Sequence, residues 1–289
     1  MEKLILQKIS HKDFFSYPIF IISYNRVDDL KCMVEYLLRD GYNNLVILDN
    51  ASTDKNVQDY LDSLNNPCIM VKKLKRNYGH KVLWECHEFD RIIENQYYVL
   101  TDPDIFPVEE CPNNYVEVFW EILQDFPQKT KTGFSLKIDD LPEEYPFKYD
   151  IIRFESFYWE NKLSYRFPIY DAEIDTTFAL YRPGKIDKRK FGEGIRTGGI
   201  YIARHQGWYI TPTNMKNKYF AQKNIFSTSM NRNAMSVFQM VVIYNLLKRQ
   251  NEDIYRIAHR ILPVDKIKNN YTFLGIFRTF LYLIRKKIC

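Results

Sequence analysis

Cysteine is sparse and forms no pattern. Cys32, Cys68, Cys86, Cys111 and Cys289 are an odd number at irregular spacing, and no two of them make a CxxC pair. A structural zinc site is therefore not expected. Scattered thiols suit a reducing compartment, and a cytoplasmic location is the expectation. Cys289 stands last in the sequence, so C-terminal prenylation is not expected. Met1–Ser10 is short and charged, unlike a signal peptide. No apolar run approaches the roughly 18–20 residues needed to cross a bilayer. Internal repeats, low-complexity tracts and Gly/Ser linkers are missing too. Glycine numbers only 10, and none follows the first apolar run, which continues Ser23-Tyr24-Asn25-Arg26-Val27-Asp28. A sugar-1-phosphate nucleotidylyltransferase would want a Gly-rich triphosphate loop there, so this first alternative is disfavoured.

Acid is also missing from the C-terminal stretch. Lys266, Lys268, Arg278, Arg285, Lys286 and Lys287 have no Asp or Glu among them. The net charge of +5 is thus concentrated in the tail, and the remainder is nearly balanced. That excludes a basic nucleic-acid binder and makes the tail a separate electrostatic object. What the chain does have is apolar and aromatic mass: 46% hydrophobic residues, with 22 Tyr and 20 Phe in 289 residues. This is enough for one large α/β domain with a small appendage. Tyrosines beyond core needs suit wet clefts, since each has an apolar body and a polar tip.

The first half alternates short apolar runs with helical spacing. Residues 18–24 (PIFIISY), 44–48 (NLVIL), 68–74 and 96–100 (QYYVL) read as buried strands. Between them, 28–39, 54–64 and 82–94 carry apolar residues on one helical face, and Gly41 closes the first helix. This alternation predicts βαβ units and a mainly parallel sheet. The second half is less regular. Helices are expected over 115–126, 234–248 and 252–262, and strands over 131–138, 175–181 and 199–203.

Three of the predicted strands end in polar clusters: Ser23-Tyr24-Asn25-Arg26, Asp49-Asn50-Ala51-Ser52-Thr53-Asp54 and Thr101-Asp102-Pro103-Asp104. Ligands of open parallel sheets bind beyond the carboxyl ends of the strands, so three such clusters suggest one site. Asp49 suits an imide N–H or a ribose hydroxyl, whereas Asp54 suits a helix N-cap. Asp102 and Asp104 place two carboxylates across a stiff proline turn, a hard-oxygen set that fits Mg²⁺ or Mn²⁺ with positions left for phosphate oxygens.

In this order the motifs PIFIISYNRVDDL, VILDNASTD, RNYGHKVLWEC and YVLTDPD resemble the nucleotide-binding half of GT-A glycosyltransferases, especially family-2-like bacterial enzymes, over roughly residues 17–107. The resemblance implies a Rossmann-like, mainly parallel sheet flanked by helices. It implies a nucleotide-sugar donor, with a UDP-sugar expected, and Tyr24, Asn25, Asp49, Asn77, Gly79 and Asp102 around it. Lys81 is expected near the phosphates. Asp102 and Asp104 would hold the metal, joined by a late-chain histidine, His205. The pattern departs at Asp49-Asn50, where the family often has two aspartates.

The acceptor and catalytic groups should lie in residues 108–262, where acids and aromatics are dense. Asp139, Asp140, Glu160, Asp171 and Asp175 are the polar members that core packing does not explain. An inverting transferase needs a carboxylate base on the acceptor hydroxyl. Asp175 is the first choice because it follows the Asp102–Asp104 motif well downstream and opens a predicted strand; Asp140 is the second. Lys81, Arg204 and Lys185 are candidate cations for the departing diphosphate. The expected division is a transferase domain over 1–262 and a basic, aromatic segment over 263–289. Residues 273–284 (FLGIFRTFLYLI), with basic flanks, suit an interfacial helix on anionic lipid. The alternative is a face that packs on the domain or on a second subunit. A glycan or lipid-linked glycan acceptor is expected. A non-catalytic sugar-binding protein on the same fold is the second alternative.

Overall fold

The computed structural model describes residues 13–143, 148–185 and 192–209. The expected helices at 234–248 and 252–262 and the basic segment 263–289 lie outside the described residues.

The chain begins as its apolar runs predict. Strand β1 (Ile19–Ser23), helix α1 (Val27–Arg39), β2 (Leu45–Asp49), α2 (Lys55–Ser63) and β3 (Ile69–Lys73) are followed by β4 (Tyr98–Thr101). β1 pairs in parallel with both β2 and β4, and β2 with β3. Every residue of β1 and β2 is buried, which is why both read as unbroken apolar runs rather than alternating ones. Phe20, Ile22, Val46 and Leu48 form one face of the core with Val82, Leu83, Ile92 and Ile93. Helix α1 buries Leu30, Met33, Val34 and Leu37 along one stripe.

The stretch expected as one helix over 82–94 is instead two short ones, α3 (Val82–Glu85) and α4 (Asp90–Ile93). His87 interrupts it with a φ of 58°. A left-handed residue without glycine or proline leaves no mark in the sequence pattern.

The second half supplies β5 (Ile105–Pro107), α5 (Tyr115–Asp125), β6 (Lys131–Leu136), α6 (Lys148–Glu155), β7 (Lys162–Leu163), β8 (Ile169–Asp171), β9 (Ala179–Tyr181) and β10 (Ile195–His205). The ten strands form one sheet in the order β3-β2-β1-β4-β9-β6-β10-β8-β7, with β5 on β10. The sheet is mixed. The first half is parallel, β6 pairs in parallel with β10, and β9, β8, β7 and β5 run antiparallel to their neighbours. Gly133 allows the central strands to close up, since a Cβ there would stand 2.4 Å from the Phe178 carbonyl oxygen. The strand expected over 175–181 is cut to Ala179–Tyr181: the Asp175 carbonyl accepts from the Tyr181 hydroxyl and the Thr176 carbonyl from the Asp102 amide. The chain order reverses between β1 and β4, and at such a switch point the loops diverge and leave a crevice.

Candidate functional site at the carboxyl edge of the sheet

β1 and β4 end side by side, so Tyr24-Asn25-Arg26 and Asp102-Pro103-Asp104 flank the switch point. Antiparallel pairing of β10 on β5 brings His205 opposite Ile105, and the Gln206 amide donates to the Asp104 carbonyl at 2.8 Å. Residues from three distant parts of the chain therefore meet at Asp104. Its carboxylate is 1% exposed. Arg26 Nη1 donates to Asp104 Oδ2 at 2.8 Å, and His205 Nδ1 lies 3.5 Å from the same oxygen. Oδ1 is buried with no hydrogen-bond partner. Burial alone would raise the pKa of Asp104, but Arg26 and His205 outweigh it and hold the group below the usual carboxylate range.

His205 stacks on Trp208, ring centroids 4.7 Å apart and ring planes nearly parallel. Gly207 makes this possible. A Cβ there would stand 2.8 Å from the imidazole and 3.4 Å from Asp104 Oδ2.

Asp102 is held differently. Thr176 Oγ1 donates to its Oδ2 at 2.7 Å, and its amide donates to the Thr176 carbonyl. Burial, and then the neighbouring Asp104, push its carboxyl up to about 8. A buried carboxylate with an unpartnered oxygen, beside a second carboxyl group whose charge it disfavours, fits a cation. Among the described residues no group of three or more His, Cys, Asp or Glu forms a ready metal cage. The donor set thus fits an ion such as Mg²⁺ or Mn²⁺, which takes one or two carboxylates and completes its shell with phosphate oxygens and water.

The second loop is built on amides. Asn25, 1% exposed with φ 53°, accepts at Oδ1 from the Thr53 and Asp54 amides, both at 2.8 Å, and donates from Nδ2 to Thr53 Oγ1. Asn25 was expected beside the nucleotide. Its side-chain amide is engaged inside the protein, as the clamp between the first two strand ends. Asp54 caps α2 through the Asn56 amide, as expected. Asp49 Oδ1 accepts from the Ser52 amide. Asn50, at the departure from two aspartates, donates to the Gly79 carbonyl and accepts from the Tyr78 amide. A carboxylate could not make the first of these bonds. Asn50 thereby ties the Asn77–Gly79 turn to the site, a role not read from the sequence. That turn closes on the Asn77 side chain accepting from the Gly79 amide, with Gly79 at φ 73°. Tyr24 is half-buried and, among the described residues, makes no hydrogen bond or ring contact. Lys81 follows the turn in a short 3₁₀ segment.

The two base candidates separate. Asp140 Oδ2 accepts from Arg204 Nε and Nη2, and Tyr209 donates to its Oδ1. Although partial burial works the other way, these donors and Lys137 hold its carboxyl below the ordinary range, so it is a weak base already committed to its partners. The same pairing occupies Arg204, proposed from the sequence as a leaving-group cation. Lys185 lies 3.8 Å from Glu94, and Asp171 pairs with Lys129. Asp175 is exposed, and no hydrogen bond or ion pair holds its carboxylate among the described residues. It precedes Thr176, the residue that holds Asp102.

No protein-family model and no curated protein matches the chain. Among solved structures it is similar to a mannosyltransferase, PcManGT from Pyrobaculum calidifontis, in complex with GDP-Man and Mn²⁺. Identity is 12% and the TM-score 0.40, over 94% of this chain and 86% of that one. It is also similar to residues 1–349 of TarS from S. aureus in complex with UDP-GlcNAc, at 14% identity and a TM-score of 0.34, over 58% of this chain and 45% of that one. The match thus spans less than half of that TarS chain. Likeness at these values fixes neither a family nor a substrate.

Proposed function

We propose that this chain is a GT-A-type glycosyltransferase that moves a sugar from a nucleotide sugar, most simply a UDP-sugar, to a glycan or lipid-linked glycan acceptor. The observation that carries the reading is the convergence of Arg26, Asp102, Asp104 and His205 at the switch point of the sheet, around a buried carboxylate with one unpartnered oxygen.

In this reading Tyr24 lies against the base and Asp49 accepts from its imide or from the ribose. The Asn77–Gly79 turn and Lys81 border the phosphates. Asp102 and Asp104 would hold Mn²⁺ or Mg²⁺, with His205 beside them. The ion would neutralise the charge that develops on the leaving nucleoside diphosphate. Asp175 takes the proton of the acceptor hydroxyl. The hydroxyl oxygen bonds to the anomeric carbon, and the bond from that carbon to the diphosphate oxygen breaks, with inversion of configuration. Exposure and lack of a side-chain partner suit Asp175 to this task better than Asp140.

The test is release of nucleoside diphosphate from a panel of nucleotide sugars supplied with Mn²⁺ and an acceptor extract. Asp175→Asn should lower turnover by about 10²–10⁴-fold while leaving UDP affinity unchanged. If no nucleotide sugar is consumed, and a sugar 1-phosphate with a nucleoside triphosphate yields pyrophosphate instead, the protein is a nucleotidylyltransferase.

A further inference from the structure

Lys131 opens strand β6 and is 1% exposed. A buried lysine is costly unless its ammonium has a specific partner. Here Lys131 Nζ donates to the Ile174 carbonyl at 2.5 Å and lies 5.0 Å from the centre of the Tyr181 ring. The two neighbouring carbonyls are held as well. Arg196 Nε, from β10, donates to the Glu173 carbonyl at 2.7 Å, and the Tyr181 hydroxyl, from β9, donates to the Asp175 carbonyl at 3.3 Å. The fourth carbonyl, of Thr176, accepts from the Asp102 amide. Four consecutive carbonyls thus have fixed donors from four different segments.

The rest of this loop is fixed too. The Ile174 amide donates to the Gly192 carbonyl, and its side chain is fully buried in the core. Gly194 makes room, since a Cβ there would stand 3.0 Å from Ile174 and 3.2 Å from the Lys131 stem. Arg196 is itself anchored by a buried ion pair to Glu155 at 2.8 Å and lies over the Tyr158 ring. In residues 173–176, the exposed carboxylate of Asp175 follows directly on a carbonyl that the buried Lys131 Nζ holds.

We propose that Lys131, with Arg196 and Tyr181, is a positioning clamp that sets the Asp175 carboxylate relative to Asp102. Lys131 fixes the peptide immediately before Asp175, while Thr176 immediately after it fixes Asp102. Base and metal-side carboxylate are therefore referred to one rigid segment. A misplacement of about 1 Å can cost 10²-fold in rate. This inference rests on Asp175 acting as the base.

The test compares Lys131→Met, Tyr181→Phe and Asp175→Asn by turnover, by donor KM and by UDP affinity from calorimetry. Met keeps most of the volume of Lys131 and removes a buried charge, so the variant should fold. Lys131→Met should lower kcat about 10–100-fold and Tyr181→Phe less, both with donor KM and UDP affinity within twofold of wild type. A purely structural lysine would instead shift both parameters together, or neither. If Asp175→Asn is inactive and Lys131→Met turns over normally, the clamp is wrong and the base stands. If Asp175→Asn itself turns over normally, the assignment of the base fails first, and the clamp with it.

Discussion

Arg26 and Asp104, 78 positions apart in the chain, meet across the switch point of the sheet with Nη1 2.8 Å from Oδ2. The same guanidinium reaches Asp29 at 2.8 Å through Nη2. An arginine that arrives with the first strand and an aspartate that arrives with the fourth are thus the charge pair at the centre of the candidate site. Removing one partner strands the other in a buried position.

Arg26→Ala should therefore lower the stability of the metal-free protein by about 3–5 kcal/mol, as for other broken buried pairs. A divalent cation supplies the missing positive charge, so Mn²⁺ should raise the melting temperature of the variant more than that of wild type. Thermal melts with and without Mn²⁺ read both effects. Identical melting of variant and wild type would contradict the pair's role. The sign with pH follows from the lowered pKa of Asp104. Its contribution is present above the ordinary value of 3.8 and is lost as pH falls below it.

Lys131 gives a slope of the same sign, in a higher pH window. Burial lowers its pKa from 10.5 to about 7, and Asp175, Arg196, Glu173 and Lys81 are the charged groups around it. Between those two values the unfolded chain binds more protons than the folded one, so stability rises with pH across that window. Lys131→Met should flatten this rise, a difference of a few kcal/mol at most, since each pKa unit is about 1.4 kcal/mol. Urea denaturation at pH 7, 8.5 and 10 measures it. Parallel curves for variant and wild type would refute it.

Asn50→Asp removes the donor to the Gly79 carbonyl and sets a carboxylate against it. A loss of about 1–3 kcal/mol is expected, with weaker donor binding because the Asn77–Gly79 turn loosens. Chemical denaturation and UDP titration together test this. Unchanged UDP affinity would detach the turn from the nucleotide site.

How much of this was legible depended on whether the signal was local. The ends of β1, β2 and β4 could be read because buried parallel strands are continuous apolar runs that stop at a polar residue. The Asp54 cap could be read because a cap acts within two residues of its own position. Partnerships between distant segments left no periodic trace. The Asn25 clamp on residues 53 and 54, and the hold of Arg204 and Tyr209 on Asp140, the second base candidate, each join positions far apart in the chain. Lys131 looked like the polar start of a strand. One non-local role did leave a mark. The replacement of a second aspartate by Asn50 marks a position where a donor is required, and this could have been read from the sequence.

The basic aromatic segment 263–289 remains a proposal: a short interfacial helix that rests on anionic lipid and brings the site to lipid-linked acceptors. Full-length protein should float with anionic vesicles, less so in high salt, and a chain ending near Asn270 should not float. Equal behaviour of the two chains would assign the segment to packing or to a subunit contact.

The central claim is that Asp102 and Asp104 form the cation-dependent half of a nucleoside-diphosphate site. Calorimetric titration of UDP, with GDP in parallel, tests it most directly in wild type and Asp104→Ala, each with Mn²⁺ and with EDTA. The account predicts that wild type binds UDP in preference to GDP, that binding weakens at least tenfold without metal, and that Asp104→Ala with Mn²⁺ behaves like wild type in EDTA. Equal UDP affinity in all four combinations would contradict it.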